Sequence, residues 1–227
     1  MTKILALLPM KGNSARVPNK NLKDFSGKPL YHRVLETLIT SKYIHKVIIN
    51  TDSELIKRDA QANFGDNIIL HDRPEEIQGD FVSMNQVIQN DLSKTDGEIY
   101  LQTHSTNPLL TTRSLDLAIE MMLDQEFKKQ YDSIFSVTKI QTRLYDKTGA
   151  PFNHNPEELL RTQDLPPLYE ENSNFYIFTK TSFKNNANKR IGKNPKLFEL
   201  DKFESVDIDE PQDFLLAELL YKTLNNN

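Results

Sequence analysis

The chain has 227 residues, of which 37% are hydrophobic and 26% are charged, a composition typical of a soluble globular protein with a full core. It contains no cysteine, which excludes disulfide bonds, thiolate metal sites and a cysteine nucleophile. The formal net charge of −4 argues against a nucleic-acid-binding surface.

The first apolar run covers residues 4–10, and residues 4–9 within it predict a buried β-strand. The run is too short to cross a bilayer, and Lys11 and Arg16 follow it in place of a signal-peptide cleavage site. We therefore expect a cytoplasmic protein that has neither a membrane nor a nucleic acid as a partner.

A loop rich in positive charge follows this strand, and its Lys11, Arg16 and Lys20 surround the turn Gly12-Asn13-Ser14. The first 33 residues carry seven Lys or Arg and one Asp, whereas the remaining residues carry 21 Lys or Arg and 31 Asp or Glu. A tight turn that presents backbone N–H groups among cations suits a polyphosphate, and a positive site in an acidic protein attracts small anions. A solvated lysine-rich loop is the alternative, but the spacing around Gly12 favours a nucleotide enzyme.

Strands and helices then alternate along the chain. Apolar spacing predicts strands over residues 46–50, 67–70, 98–102 and 133–137. Helices are predicted after Pro29, after the capping box Thr51-Asp-Ser-Glu54, around residues 87–92 and over residues 112–124. This alternation predicts an α/β fold with a mostly parallel sheet and helices on both faces, in which ligands bind beyond the carboxyl ends of the strands.

The alternation stops near residue 140, and residues 141–174 are rich in Pro, Asn and Glu. A strong strand resumes at Phe175-Tyr-Ile-Phe-Thr179, and leucines between residues 215 and 224 predict a closing helix. We interpret residues 1–227 as one domain with an inserted segment at about 141–174, which covers the site or pairs with another subunit. A linker is the alternative.

A second informative segment, Ser205-Val-Asp-Ile-Asp-Glu-Pro-Gln212, precedes the last helix. If it is extended, Asp207 and Asp209 project to one face, and paired carboxylates are the hard oxygen ligands that Mg²⁺ takes beside nucleotide phosphates. Asp209 can instead cap the last helix, with Pro211 in its first turn. The two roles are compatible, because one carboxylate oxygen can cap while the other binds a metal.

These segments resemble the signature of the acylneuraminate cytidylyltransferases, the CMP-sialic acid synthetase family. The resemblance begins with Ser14-Ala-Arg-Val-Pro-Asn-Lys-Asn21 and Gly27-Lys-Pro-Leu30. It continues in order along nearly the whole chain with Asn50-Thr-Asp52, Arg73-Pro-Glu-Glu76, Leu101-Gln102, Thr106-Asn-Pro108, Arg161-Thr-Gln-Asp-Leu-Pro166, Glu171-Asn-Ser173 and Val206-Asp-Ile-Asp209. Each match alone is weak, but the ordered set is specific.

The resemblance implies a glycosyltransferase-A-like α/β fold, also known as the nucleotide-diphospho-sugar transferase fold, and a homodimer formed through the inserted segment. It also implies Mg²⁺-dependent transfer of CMP from CTP to a sugar-acid, nonulosonic-acid-like acceptor for surface-glycan biosynthesis. Pyrophosphate would leave as the sugar hydroxyl attacks the α-phosphorus.

The resemblance also assigns roles to residues by position. The residues predicted to bind the nucleotide are Lys11, Gly12, Asn13, Ser14, Arg16, Lys20, Asn21 and Arg73. Of these, Asn21 and Arg73 would lie near the nucleoside. Gln102 and Asn172 would face the sugar, and Asp207 and Asp209 would bind the metal. Lys20, Arg16 and Asp207 are the predicted catalytic residues, because cations neutralise charge on the transferring and leaving oxygens and a carboxylate helps to deprotonate the hydroxyl.

The sugar side departs from the family pattern. Glu170-Glu171 stands where typical sialic acid enzymes carry Arg-Pro, and that Arg is expected to face the carboxylate of the acidic sugar. Two carboxylates would repel an acid unless a cation intervenes. We therefore hypothesise that Glu170 and Glu171 contact an acceptor other than ordinary N-acetylneuraminate, and we leave open that the acceptor is not a free acid at all. His104 is predicted to border the same site.

Two other functions fit part of the pattern. A nucleotidyltransferase that acts on a phosphorylated or phosphonylated acceptor would use the basic loop equally well. A non-catalytic nucleotide-binding protein would need the loop cations but not the paired aspartates.

Overall fold

The alternating strands and helices are present in a computed structural model, which describes residues 2–14 and 16–225 of the chain. The strands are β1 (Ile4–Met10), β2 (Asp24–Phe25), β3 (Lys28–Pro29), β4 (Ile44–Thr51), β5 (Ile68–Asp72), β6 (Ile99–Thr103), β7 (Ser133–Ile140), β8 (Leu168–Thr179) and β9 (Pro195–Glu199). The helices are α1 (Leu30–Thr40), α2 (Glu54–Phe64), α3 (Met84–Ser93), α4 (Thr112–Leu123), α5 (Gln125–Gln130), α6 (Lys180–Asn185) and α7 (Pro211–Asn225).

Within the described residues, seven of these strands form one sheet in the order β5-β4-β1-β6-β8-β7-β9. Strand β1 pairs in parallel with β4 and β6, and β4 pairs in parallel with β5. Strand β8 runs antiparallel to both β6 and β7, and β7 pairs in parallel with β9. The prediction of a mostly parallel sheet is therefore confirmed, and the carboxyl ends of β1, β4 and β6 share one edge.

The core lies on both faces of this sheet. Every residue of β1 is buried, because the strand is central and its two faces are covered. Ala6 and Leu8 pack into one apolar cluster, which includes residues of α1 and α4, whereas Leu5 and Leu7 pack into a second cluster with residues of α3. This alternation is the period of a strand with helices on both sides.

One predicted helix start and one strand differ from the prediction. Helix α2 is capped by Ser53, whose Oγ accepts a hydrogen bond from the backbone N–H of Ile56 at 3.3 Å, and not by Thr51. Thr51 is unavailable as a cap because it is the last residue of β4 and is paired with Asp72 of β5. Strand β9 was not predicted.

The inserted segment is an excursion between two paired strands. Ile140 of β7 pairs with Leu168 of β8, so the excursion covers residues 141–167, and residues 168–174 of the predicted insertion belong to β8. The amide Nε2 of Gln141 closes the base of the excursion by donating to the carbonyls of Gln163 and Leu165, both at 2.8 Å. No helix in the described part of the chain combines the length and the apolarity needed to traverse a lipid bilayer.

Candidate active site

A polar cleft of about 410 Å³ opens where β1 and β6 end. Its walls come from the loop that follows β1 and from the loop that follows β6, as expected for a parallel α/β sheet. The predicted site residues that line it are Lys11, Asn13, Ser14, Arg16, Lys20, Asn21 and His104. A larger depression of about 570 Å³ lies between α1 and α7, and no predicted site residue is among the described residues that line it.

The loop after β1 is fixed by hydrogen bonds to neighbouring elements. The backbone N–H of Gly12 donates to Asp52 Oδ1 at 2.7 Å, and a Cβ at Gly12 would lie 3.0 Å from the Cβ of Ser53, so a side chain would crowd the start of α2. Buried Asn21 donates to the carbonyl of Lys11 at 2.9 Å and accepts from the Ser105 hydroxyl at 2.6 Å. Asn21 therefore joins the loop after β1 to the loop after β6.

The early cations meet the late acidic segment across the cleft. The Nζ of Lys20 donates to the carbonyl of Ile208 at 2.6 Å. The guanidinium of Arg16 lies 2.7 Å from Asp209 Oδ1 and 3.3 Å from Glu210 Oε1. The structure thus brings together the two segments that sequence reasoning singled out, although more than 180 residues separate them.

The segment that carries Asp207 and Asp209 is held by its backbone and by one apolar residue. The backbone N–H of Ile208 donates to the carbonyl of Thr106 at 3.0 Å, and its side chain is fully buried in a cluster with Phe25 and Phe214. The two aspartates flank this anchor. Neither belongs to the lining of the cleft itself, but both lie near Arg16 or Lys20, which do.

The electrostatics of the aspartate pair favour a cation. Burial raises the pKa of Asp207, the nearby charge of Asp209 raises it further, and hydrogen bonding from Thr106 opposes both effects. Burial also lowers the pKa of Lys20, an effect that Asp207 and Asp209 partly offset. Two adjacent carboxylates of this kind fit a divalent cation. Because the described residues contain no group of three or more His, Cys, Asp or Glu side chains suited to a metal, water and phosphate oxygens would supply the other ligands.

The alternative role of Asp209 as a helix cap is not what the structure records. Its carboxylate pairs with Arg16. The backbone N–H groups of Asp209 and Glu210 instead donate to Asp213 Oδ2 at 3.1 and 2.7 Å. The side chain of Asp213 is therefore the hydrogen-bond acceptor for the backbone that precedes α7.

The acceptor side of the site begins at the end of β6. Gln102 is fully buried, and its Nε2 donates to the carbonyl of Thr103 at 2.8 Å. His104 Nε2 lies 3.2 Å from Gln102 Nε2 and 3.4 Å from an Arg190 nitrogen, and both of these are donors. We therefore assign the proton of the neutral ring to Nδ1. Burial lowers the pKa of His104 to about 3, and the charges of Arg190 and Lys20 lower it as well.

Arg190 is a site residue that sequence reasoning missed. Its NH1 donates to Gln102 Oε1 at 2.6 Å, and its Cζ lies 3.5 Å from the centroid of the Tyr176 ring. Its NH2 is 3.8 Å from Glu171 Oε1. No local pattern identifies it, because it lies in a polar loop beside Lys189 and 88 residues from Gln102.

The predicted sugar-binding residues of β8 have different surroundings. Glu171 accepts a hydrogen bond from the Tyr176 hydroxyl and lies close to Arg190, whereas the side chain of Glu170 projects to the opposite face of the strand. Asn172 lies in a bulge, where its Oδ1 accepts from the Ser136 hydroxyl at 2.6 Å and its Nδ2 donates to Thr138 at 3.0 Å. The amide of Asn172 therefore holds the bulge, and a contact with the sugar stays a prediction.

Arg73 lies outside the lining of the cleft. It is buried, and its Nε and NH2 donate to the side-chain and backbone oxygens of Asn50, both at 2.8 Å. These bonds fix the end of β4 below the loop that holds Gly12. A role for Arg73 near the nucleoside stays a prediction.

Comparison with known proteins shows what this arrangement is similar to. The sequence model of a family described as cytidylyltransferase matches residues 5–223. The chain is 27% identical to a pseudaminic acid cytidylyltransferase of Campylobacter jejuni, over 97% of both chains. It is 28% identical to an N-acylneuraminate cytidylyltransferase of Escherichia coli over 95% of its own length, and it spans about half, 51%, of that relative.

Solved structures show the same fold. A CMP:2-keto-3-deoxy-manno-octonic acid synthetase complexed with CTP superimposes with a TM-score of 0.72 at 16% identity, covering 98% of this chain and 100% of the other. At that identity the likeness shows the fold alone, which is that of the nucleotide-diphospho-sugar transferases.

Proposed function

Because this chain belongs to the cytidylyltransferase family, and is therefore a nucleotidyltransferase, we propose that it transfers CMP from CTP to a sugar acid with release of pyrophosphate. The family resemblance predicted from the sequence motifs is confirmed by the match over residues 5–223. The names of its relatives support a nonulosonic acid as the acceptor. Two relatives that match over 97% of both chains are pseudaminic acid enzymes, which supports an acceptor other than ordinary N-acetylneuraminate.

The observation that carries this proposal is the meeting of Arg16 and Lys20 with residues 208–210 at the mouth of the cleft. In the structure each of the three loop cations contacts an oxygen atom of the protein. Lys11 lies 3.0 Å from the Asp80 carboxylate, Arg16 contacts the Asp209 carboxylate, and Lys20 contacts the carbonyl of Ile208. Triphosphate oxygens are acceptors of the same kind. Transfer of Arg16 from Asp209 to a phosphate would leave Asp209 free to bind a cation.

Asp207 and Asp209 are the residues that would hold Mg²⁺. When bound, the metal would neutralise triphosphate charge and polarise the phosphoryl group. The protein contributes position and charge: Arg16 and Lys20 donate to phosphate oxygens, and a carboxylate of the aspartate pair accepts the proton of the attacking hydroxyl. The bond from the sugar oxygen to the α-phosphorus forms as the bond to the pyrophosphate oxygen breaks, with no covalent enzyme intermediate.

We also propose that the protein works in the cytoplasm as a homodimer and serves surface-glycan assembly. The excursion between β7 and β8 supports self-association, because it exposes large apolar side chains that solvent does not favour. These are Tyr145, Phe152, Leu159 and Leu160.

Pyrophosphate release is the test of this function. The enzyme would be assayed with each of four nucleoside triphosphates and with free and phosphorylated sugar acids, with Mg²⁺ and with excess chelator. We expect turnover with CTP and a free nonulosonic acid, lost on chelation. Turnover only with phosphorylated acceptors would favour the alternative nucleotidyltransferase, and CTP binding without turnover would favour a non-catalytic nucleotide-binding protein.

A further inference from the structure

Arg190 is a largely buried cation with part of its hydrogen-bonding capacity unused. Only 17% of its side chain is exposed, and burial lowers its pKa, against the opposing influence of Tyr176 and Glu171. A buried guanidinium is costly unless its five N–H groups find acceptors. Its NH1 donates to Gln102, but within the described chain Nε and NH2 have no hydrogen-bond acceptor. Among residues 2–14 and 16–225, the carboxylate oxygen within 4 Å of NH2 is Glu171 Oε1, which lies 3.8 Å away, beyond hydrogen-bond distance.

The surroundings of Arg190 hold its plane in place. The Tyr176 ring lies against one face of the guanidinium, and NH1 is fixed by Gln102 and by the neutral ring of His104. The backbone N–H of Arg190 donates to Asn85 Oδ1 at 3.2 Å, which ties its loop to the start of α3. The uncommitted edge formed by Nε and NH2 is thus preorganised.

Arg190 lies behind the lining of the cleft and adjoins it through His104. His104, which its NH1 approaches to 3.4 Å, lines the same cleft as Lys20. Met84, which precedes the Asn85 that bonds the Arg190 backbone, lines that cleft as well. Arg190 is thus separated from the cleft that contains Lys20 by the side chain of His104 alone, which places its uncommitted edge near the predicted acceptor site.

The chemistry of this edge selects a carboxylate. Two parallel N–H groups match the two oxygens of a planar carboxylate in a bidentate pair. The nearby charge of Glu171 offsets part of the single positive charge, so the site suits a monoanion better than a phosphate dianion.

We propose that Arg190 binds the carboxylate of the acceptor and makes the enzyme selective for sugar acids. This inference rests on the proposed function, because it requires a sugar acid as the acceptor. Arg190 would be the intervening cation that allows an acid to bind beside Glu171.

The test compares acids with their neutral esters. The probes are pseudaminic acid and N-acetylneuraminic acid, each as the free acid and as its methyl ester, with pyrophosphate release measured at saturating CTP and Mg²⁺. Arg190→Met keeps an apolar stem against Tyr176 but removes the charge, and Arg190→Lys keeps the charge but loses the bidentate edge. Lys189→Met, on the exposed neighbour, is the matched control.

We expect Arg190→Met to raise KM for the preferred acid roughly 10- to 150-fold, because a charge-assisted hydrogen-bonded pair is lost. KM for CTP and for the ester should change by no more than about twofold, and Arg190→Lys should fall between Arg190→Met and the wild type. Lys189→Met should behave as the wild type does. An unchanged preference for acid over ester in Arg190→Met would overturn the proposal.

Two further outcomes separate this inference from the proposed function. A wild-type enzyme that turns over no sugar acid with CTP contradicts the function itself. A wild-type enzyme that uses acid and ester equally well keeps the function and overturns the role of Arg190, even if Arg190→Met does not fold.

Discussion

At the scale of single residues, the ε-ammonium of Lys20 lies where the loop after β1 meets the segment that precedes α7. Its Nζ donates to the carbonyl of Ile208 at 2.6 Å, and the charges of Asp207 and Asp209 act on it. The position suits a cation that stabilises charge on the transferring phosphoryl group. Because Lys20 is partly buried, water that fills the space left by a truncated side chain would not supply the lost positive charge.

We expect Lys20→Ala to lower kcat/KM about 10²- to 10³-fold, which is typical when one preorganised donor to a transition state is removed. Pyrophosphate release with CTP and a sugar acid is the measurement. Lys28→Ala is the matched control, because Lys28 is exposed and pairs with Glu36 outside the cleft. A Lys20→Ala enzyme that is folded and nearly as active as the wild type would remove the assigned role.

His104 makes the stability of the protein depend on pH. Burial, with the charges of Arg190 and Lys20, lowers its pKa from 6.5 to about 3, so the folded protein keeps the ring neutral where the unfolded chain protonates it. The folded state therefore loses stability as the pH falls below the unfolded pKa of 6.5, and the loss continues down to about pH 3.

His104→Gln should remove this contribution. On lowering the pH from about 6.5 towards 3, the wild type should lose up to about 1.4 kcal/mol of unfolding free energy per pH unit relative to His104→Gln. Urea unfolding at about pH 7.5 and about pH 5.5 measures the difference. His154→Gln, in the exposed excursion, is the control, and parallel pH profiles for wild type and His104→Gln would contradict the expectation.

At the scale of elements, the bulge in β8 shapes the acceptor side of the site. Phe135 pairs with Tyr176 and Val137 pairs with Glu171, so the residues between Glu171 and Tyr176 face Ser136 alone. The Ser136 hydroxyl donates to Asn172 Oδ1 at 2.6 Å and accepts from the backbone N–H of Phe175 at 2.9 Å. The bulge separates Glu171 and Tyr176 along the strand, and both of them contact Arg190.

Ser136→Ala should therefore lower the free energy of unfolding by about 1–3 kcal/mol, because it leaves the buried N–H of Phe175 without its acceptor. It should also raise KM for the sugar acid more than KM for CTP. Denaturant unfolding and steady-state kinetics give the two readouts. Ser93→Ala, at the exposed end of α3, should change the unfolding free energy by less than about 0.5 kcal/mol. Equal stability of Ser136→Ala and Ser93→Ala would contradict this account of the bulge.

The elements differ in how far local sequence predicts them. Strand β1 is a continuous apolar run and β4 contains the apolar run Val47-Ile48-Ile49, so the positions of both follow from the local sequence. Strand β9, Pro-Lys-Leu-Phe-Glu, is short, partly exposed and at the edge of the sheet, and only its pairing with β7 makes it a strand. The bulge of β8 depends on Ser136, which lies far from it in sequence.

The same distinction applies to the site. The cations around Gly12 and the paired aspartates were predictable because each set forms a local pattern. Arg190 has no such pattern: its contacts with Gln102, Tyr176 and Glu171 arise only when three separate parts of the chain fold together.

At the scale of the whole molecule, the distribution of charge matches the topology of the sheet. The first 33 residues are strongly basic within a chain whose net charge is −4. Strand β1 is central in the sheet, so the basic loop that follows its carboxyl end lies near the middle of one sheet edge. The acidic segment that precedes α7 contacts this loop through the ion pair of Asp209 with Arg16. A small anion is attracted to such a centre, whereas a polyanion would meet the acidic remainder of the protein.

The excursion between β7 and β8 projects from this body and carries exposed apolar side chains, which a second copy of the chain could cover. Leu159 is 89% exposed and Phe152 is 69% exposed. If they pack in a dimer interface, a charge at Leu159 would be buried without a partner, at a cost of several kcal/mol.

We therefore expect light scattering to give the wild type a mass of twice 26.3 kDa and Leu159→Asp a mass close to 26.3 kDa at the same concentration. Leu55→Asp is the control, because Leu55 is 65% exposed on α2, outside the excursion, and should leave the dimer intact. A wild type that is monomeric at micromolar concentration, or a Leu159→Asp protein that is as dimeric as Leu55→Asp, would show that the excursion does not join two subunits.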